Sequence, residues 1–220
     1  MQPTGSSADG AAIYSPLVLR VYDAVVHRFT LPVLWGCRSS RAQRLYDELA
    51  GPAHLDVGVG TGRYLDRATP PQPISRLALL DLNANSLRHA ARRVARLDPS
   101  CHEGDVLRPW PDELRGFDSL GMATLLHCVP GPWKHKAVAF DHARDALRPG
   151  GVLFGSTILG RGVRVPWRAR PVLKAFNRRA IFHNLEDDEA GLRSALEARF
   201  DSVHVDVVGM VALFRAWCAS

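Results

Sequence analysis

The chain predicts an α/β protein built on a doubly wound, mostly parallel sheet, and three observations carry that prediction. A short run rich in β-branched residues, Leu55 to Val59, passes directly into glycines at 58, 60 and 62 and then into a helical pattern. A glycine-rich turn between a strand and a helix is the nucleotide-binding corner of such a sheet. Apolar runs of strand length then alternate with amphipathic helical segments as far as residue 159. Residues 201–218 read DSVHVDVV and GMVALFRAWC, two strand patterns around a glycine, which predicts a closing antiparallel hairpin.

Composition sets the bounds. At 220 residues, 46% hydrophobic and 23% charged, the chain has the size and balance of one soluble domain. Residues 1–10, rich in Gly, Ser and Thr, predict a disordered start. A single domain then covers 11–220: a helical cap over 11–50 and a core over 51–220. The formal charge of +6 is spread along the chain, which predicts a solvated basic face rather than a nucleic-acid stripe. Cys37, Cys101, Cys128 and Cys218 form no C-x-x-C pair, so neither a zinc site nor a redox dithiol is expected, and no metal. No secretory leader opens the chain and no apolar run reaches the ~18 residues needed to span a bilayer. The expectation is a cytoplasmic protein with no membrane and no nucleic-acid partner.

The elements follow in order. Residues 13–30 carry apolar residues at helical spacing, with Pro16 in the first turn. A second helix is expected from an N-cap at Ser39 or Ser40 to Ala50, stopped by Gly51-Pro52. These two helices precede the sheet and could lie over its ligand edge, where Tyr14, Tyr22, His27 and Trp35 could face a ligand. The first strand is expected over 53–57, a helix near 62–68, and a second strand over 74–81 ending in Asp81. That acid lies 19 residues beyond Gly62, where it could accept hydrogen bonds from both hydroxyls of a ribose; capping the next helix, 85–97, is its alternative role. A turn and short helix are expected over 109–114, a fourth strand from Phe117, a helix over 133–147, and a fifth strand from Gly151 to Leu159 after a sharp Pro-Gly-Gly turn. Residues 160–184 break the alternation with a set of arginines, Trp167, Phe176 and Phe182, and a helix over 187–199 opens with three acids that suit its dipole.

The glycine spacing separates two ligand classes. Dinucleotide folds use G-x-G-x-x-G, whereas here the third glycine falls one residue early and Arg63 occupies the place of the last. DVGVGTG at 56–62, Asp81, Asp105 and RPGG at 148–151, in that order, resemble the motifs of class I S-adenosylmethionine (SAM)-dependent methyltransferases. WGC at 35–37, LLHCVPGP and FGSTILG resemble in particular the standalone small-molecule enzymes of secondary metabolism. The resemblance covers about residues 50–217 and implies a Rossmann-like sheet of seven strands, one antiparallel within the C-terminal hairpin. It implies SAM as methyl donor and S-adenosylhomocysteine (SAH) as product.

It also implies a site. Asp56, Gly58, Gly60, Thr61, Gly62, Asp81, Leu82, Asn83, Asp105, Val106, Thr124 and His127 would bind the donor, with Tyr14 and Tyr22 from the N-terminal helix. His127, after the fourth strand, is the candidate general base, because histidine is the side chain whose ordinary pKa lies closest to neutrality. Cofactor contact and a purely packing role are its alternatives. Trp35, Trp167, Asn177, Phe182 and His183 would face the acceptor, a small molecule, with the substrate insertion at 160–184 forming a wall of its pocket. The nucleophile, whether oxygen, nitrogen or carbon, stays open, as does the choice between monomer and homodimer. A nicotinamide oxidoreductase is disfavoured by the glycine spacing and an RNA methyltransferase has no motif. A SAM-binding protein that transfers no methyl group is the alternative that sequence leaves standing.

Overall fold

The computed structural model describes residues 31–220. The expected helix over 13–30, Tyr14, Tyr22 and His27 lie outside the described residues. Helix α1 (Ser39–Leu49) is followed by β1 (Ala53–Val57), α2 (Arg63–Arg67), β2 (Arg76–Asp81), α3 (Ala84–Arg93), β3 (Ser100–Glu103) and β4 (Phe117–Ala123). Then come α4 (Trp133–Lys136), α5 (Val138–Ala146), β5 (Leu147–Ile158), α6 (Ala169–Arg178), α7 (Glu189–Glu197), β6 (Ser202–Val208) and β7 (Val211–Trp217).

The seven strands form one sheet in the order β3-β2-β1-β4-β5-β7-β6. β1 pairs in parallel with both β2 and β4, and β7 runs antiparallel between β5 and β6. The chain leaves β1 in one direction along the sheet and later returns to build in the other. The crevice at that switch, beyond the carboxyl ends of β1 and β4, is where an open α/β sheet binds ligands.

Burial explains the apolar runs. Along β2, Leu77 and Leu79 pack on one face of the sheet while Ala78 and Leu80 pack on the other, so residues 77–80 form an unbroken apolar run. On one side Leu80, Phe117, Phe140, Leu192 and Phe214 share a core; on the other Tyr46, Leu79, Leu87 and Phe154 do. Helix α1 meets the second face through Ala42, Leu45 and Tyr46, spaced by three and four residues.

Several sequence expectations need correction. Ser39 and Ser40 lie inside α1; Arg38 holds the N-cap position and makes no side-chain capping bond. The helix expected over 85–97 ends at Arg93 and gives way to a single tight turn, Ala95–Leu97. Asn83, not Asp81, caps α3, its side chain accepting from the Asn85 amide at 2.8 Å. Residues 109–114 form turns without a helix, and 133–147 is two helices broken at Ala137. β5 begins at Leu147, ahead of the RPGG segment. Phe117 pairs with Leu147 and Ser119 with Val152, so RPGG bulges out of the ladder where Gly150 takes a positive φ. Among the described residues no helix is long and apolar enough to cross a membrane.

Candidate active site

A cleft opens at the carboxyl ends of β1, β2 and β4. Asp56, the Gly58–Tyr64 turn, Asp81, Leu82, Gly104, Asp105, Val106, Thr124, Leu125 and Cys128 are among the residues that line it. The turn leaves β1 with the Gly58 amide bonded to the Leu80 carbonyl at 2.8 Å, and the Gly62 amide closes it on the Val59 carbonyl at 2.9 Å. Gly60 sits at φ +52° and a Cβ there would meet nothing within 4 Å, so its missing side chain leaves space in the cleft. Gly62, at φ +70°, presses on α3: a Cβ would lie 3.0 Å from the Cα of Ala90.

Asp81 ties the second strand to this turn. Its carboxylate accepts the Asn83 amide at 2.8 Å and the backbone amides of Gly60 and Val59. Burial pushes its pKa up to about 6 even against these hydrogen bonds. Asp105 accepts the Leu107 amide at 2.9 Å and lines the cleft beside Gly104 and Val106. Thr124 leaves β4 at φ +55°, unusual for a β-branched residue, with its amide held by the Ser156 carbonyl at 2.8 Å. Such strain collects at functional positions, and Thr124 faces the cleft. Deeper in, the Tyr46 hydroxyl donates to Asp56 Oδ1 at 2.7 Å. Burial pushes the Cys128 thiol up to about 12, against the opposing pull of the Lys136 ammonium.

The structure therefore brings together Asp56, Gly58, Gly60, Thr61, Gly62, Asp81, Leu82, Asp105, Val106 and Thr124. It does not bring Asn83 or His127 to the same wall. Asn83 spends its side-chain oxygen capping α3. His127 sits in the tight turn Leu126–Cys128, with its ring edge-on to Phe182 at 4.5 Å. Its Nδ1 is buried without a hydrogen-bond partner, and burial followed by the Lys136 charge pushes its pKa down to about 3.

The expected acceptor residues divide. Phe182 packs against Trp35, Phe176 and His127 in a buried aromatic cluster. His183 joins it through the backbone, donating its amide to the His127 carbonyl at 2.7 Å. Asn177 uses both ends of its amide on Asn184, at 3.0 and 3.2 Å. Trp167 lies apart, 74% exposed, on a surface groove with Arg164, Arg170 and Lys174.

Sequence reasoning missed Tyr46, Tyr64 and Lys136. Lys136 is fully buried, 2.5 Å from Asp187 Oδ2 and 2.9 Å from the His183 carbonyl, so it clasps the 183–187 segment against the turn that carries His127. The only advance signal was for Tyr46, an aromatic residue on the apolar side of α1. Among the described residues no cluster of three or more His, Cys, Asp or Glu could hold a metal ion.

Comparison with known proteins places these features. Residues 55–153 match a family model described as a methyltransferase domain. The chain is 43% identical to demethylluteothin O-methyltransferase of Streptomyces thioluteus over 209 residues, 95% of this chain and 91% of that protein. It is 39% identical to the physcion biosynthesis cluster O-methyltransferase of Aspergillus chevalieri, covering 94% of each. The fold matches the N-methyltransferase NodS of Bradyrhizobium japonicum WM9, solved with SAH, at a TM-score of 0.62 and 18% identity, over 93% of this chain and 98% of that one.

Proposed function

The chain belongs to the class I SAM-dependent small-molecule methyltransferases, and from that premise we propose that it is an O-methyltransferase acting on an acidic hydroxyl, with its donor in the glycine-turn cleft. The observation that carries the oxygen acceptor is 43% identity, sustained over 95% of the chain, to a relative named as an O-methyltransferase.

The cleft's residues fit the donor. Gly60 leaves room for a ligand against the backbone, and the acids stand on three successive strand ends. The turn and Asp56 would hold the aminoacyl end, Asp81 the ribose hydroxyls, and Asp105 with Val106 the adenine. Bound SAM supplies an electrophilic methyl group on a sulfonium. What the protein must add is alignment of the nucleophile, which can contribute several kcal/mol, and acceptance of the acceptor's proton.

His127 would serve the second need. Its imidazole stays neutral at physiological pH, and its Nδ1 has no hydrogen-bond partner. A buried, weakly basic imidazole suits a hydroxyl that ionises readily better than it suits an aliphatic alcohol. This favours a phenol- or enol-type acceptor.

The test is a panel of phenols, enols, aliphatic alcohols and amines offered with methyl-labelled SAM, the products read by mass spectrometry. Methyl ethers of acidic hydroxyls are expected. Labelled amines alone, or methylation of aliphatic alcohols alone, would overturn the reading.

A further inference from the structure

Tyr46, Asp56 and Gly121 meet at the floor of the cleft from three separate elements. Tyr46 lies on the buried face of α1, Asp56 near the end of β1 and Gly121 in β4. The tyrosine ring is clamped: it stacks on Tyr64 with centroids 5.3 Å apart and planes 15° from parallel, and it meets Phe154 edge-on at 5.0 Å. Its hydroxyl donates to Asp56 Oδ1 at 2.7 Å, and burial together with the Asp56 charge holds it protonated, so it remains a donor at any working pH. Gly121 keeps the junction open, because a Cβ there would lie 2.7 Å from Asp56 Oδ1 and 3.0 Å from the Tyr46 oxygen. Oδ1 also has the buried His54 Nε2 3.9 Å away, and the structure gives Oδ2 no hydrogen-bond partner among the described residues.

We propose that Tyr46 is a positioning residue: by holding Oδ1 it fixes the Asp56 carboxylate so that Oδ2 receives the ammonium group of the donor's aminoacyl end. This rests on the donor placement proposed above. The carboxylate needs such a hold because it closes a strand beside a turn of three glycines, and a side chain free to rotate would lose entropy on binding. A charge-assisted hydrogen bond from a clamped phenol supplies the orientation in advance. It also couples α1, which precedes the sheet, to occupancy of the cleft.

The experiment compares wild type, Tyr46→Phe, Asp56→Asn and the double variant by calorimetric titration. The ligands are SAH and an SAH analogue whose amino group is replaced by hydrogen. Tyr46→Phe is expected to weaken SAH several-fold and leave the analogue's affinity unchanged, and the double variant to bind SAH no worse than Asp56→Asn alone. Gly121→Ala, which crowds the pair without deleting the hydroxyl, should reproduce the pattern and serves if Tyr46→Phe does not fold. Equal weakening of both ligands, or no weakening, would overturn the positioning role while wild-type binding upholds the cofactor reading. Wild-type protein that takes up no SAH would overturn both.

Discussion

Lys136→Met is expected to destabilise the protein more than any other conservative change of a charged side chain. The thioether roughly preserves the volume of the lysine stem, so packing changes little. What disappears is an ammonium whose side chain is 0% exposed, bound to the 2%-exposed Asp187 carboxylate and the His183 carbonyl. A buried ion pair adds little net stability, but removing one partner strands the other, at a cost of about 3–5 kcal/mol. For a chain of this size each kcal/mol moves Tm by ~2–4 °C, which converts to a fall of roughly 6–20 °C in a thermal unfolding scan. The double change Lys136→Met, Asp187→Leu should recover most of the loss, since it leaves no charge buried. The pH dependence has a defined sign. Burial pushes the Asp187 carboxyl up to about 6 even beside the ammonium, and without Lys136 it rises further. A carboxyl with a folded pKa above its unfolded value of about 4 loses stability as pH rises through that window. The deficit of Lys136→Met should therefore be smaller at pH 5 than at pH 8. A single variant within 1 kcal/mol of wild type, or a double variant as unstable as the single one, would refute the reasoning.

Other perturbations separate the site's parts. Gly60→Val should abolish SAH binding by calorimetry while circular dichroism shows a folded protein, because the branch enters open cleft rather than core and the strain at φ +52° falls on a turn outside the sheet. Asp81→Ala should weaken SAH by about 1–3 kcal/mol, as for loss of hydrogen bonds to a charged acceptor. Because burial pushes Asp81 up to about 6 and the ionised form is the better acceptor, wild-type SAH affinity should rise with pH through that value with proton release. Asp81→Asn should flatten the profile. His127→Ala should lower turnover far more than SAH affinity, as expected of a residue that lies off the glycine-turn wall; equal loss of both in steady-state and binding assays would assign it to the donor.

What sequence could and could not reveal divides along physical lines. That the glycine turn, Asp81 and Asp105 meet at one cleft was legible, because each stands at or just past the carboxyl end of a parallel strand. The strand pattern was legible because alternate residues of β2 are buried on opposite faces, leaving an unbroken apolar run. The hairpin was legible from its period and Gly209. Tyr46 was not, because a buried tyrosine on an amphipathic helix has the same pattern as a core residue until its hydroxyl is seen to meet Asp56. Lys136 follows Trp133 in WKHK, whose three basic residues read as a surface turn; its burial depends on Asp187, 51 residues away. The surroundings of His127 were equally hidden, since the ring it packs on, Phe182, lies far along the chain.

The protonated state of Cys128 bears on how the protein survives its own reagent. Its thiol lines the cleft that we assign to the methyl donor, and a sulfonium alkylates soft nucleophiles readily. Only the thiolate form of cysteine is an effective nucleophile. With its pKa pushed up to about 12, Cys128 holds its proton at any physiological pH and cannot compete with the acceptor for the methyl group. A thiol that desolvation keeps protonated can share a wall with an alkylating agent at less risk than a thiolate would run.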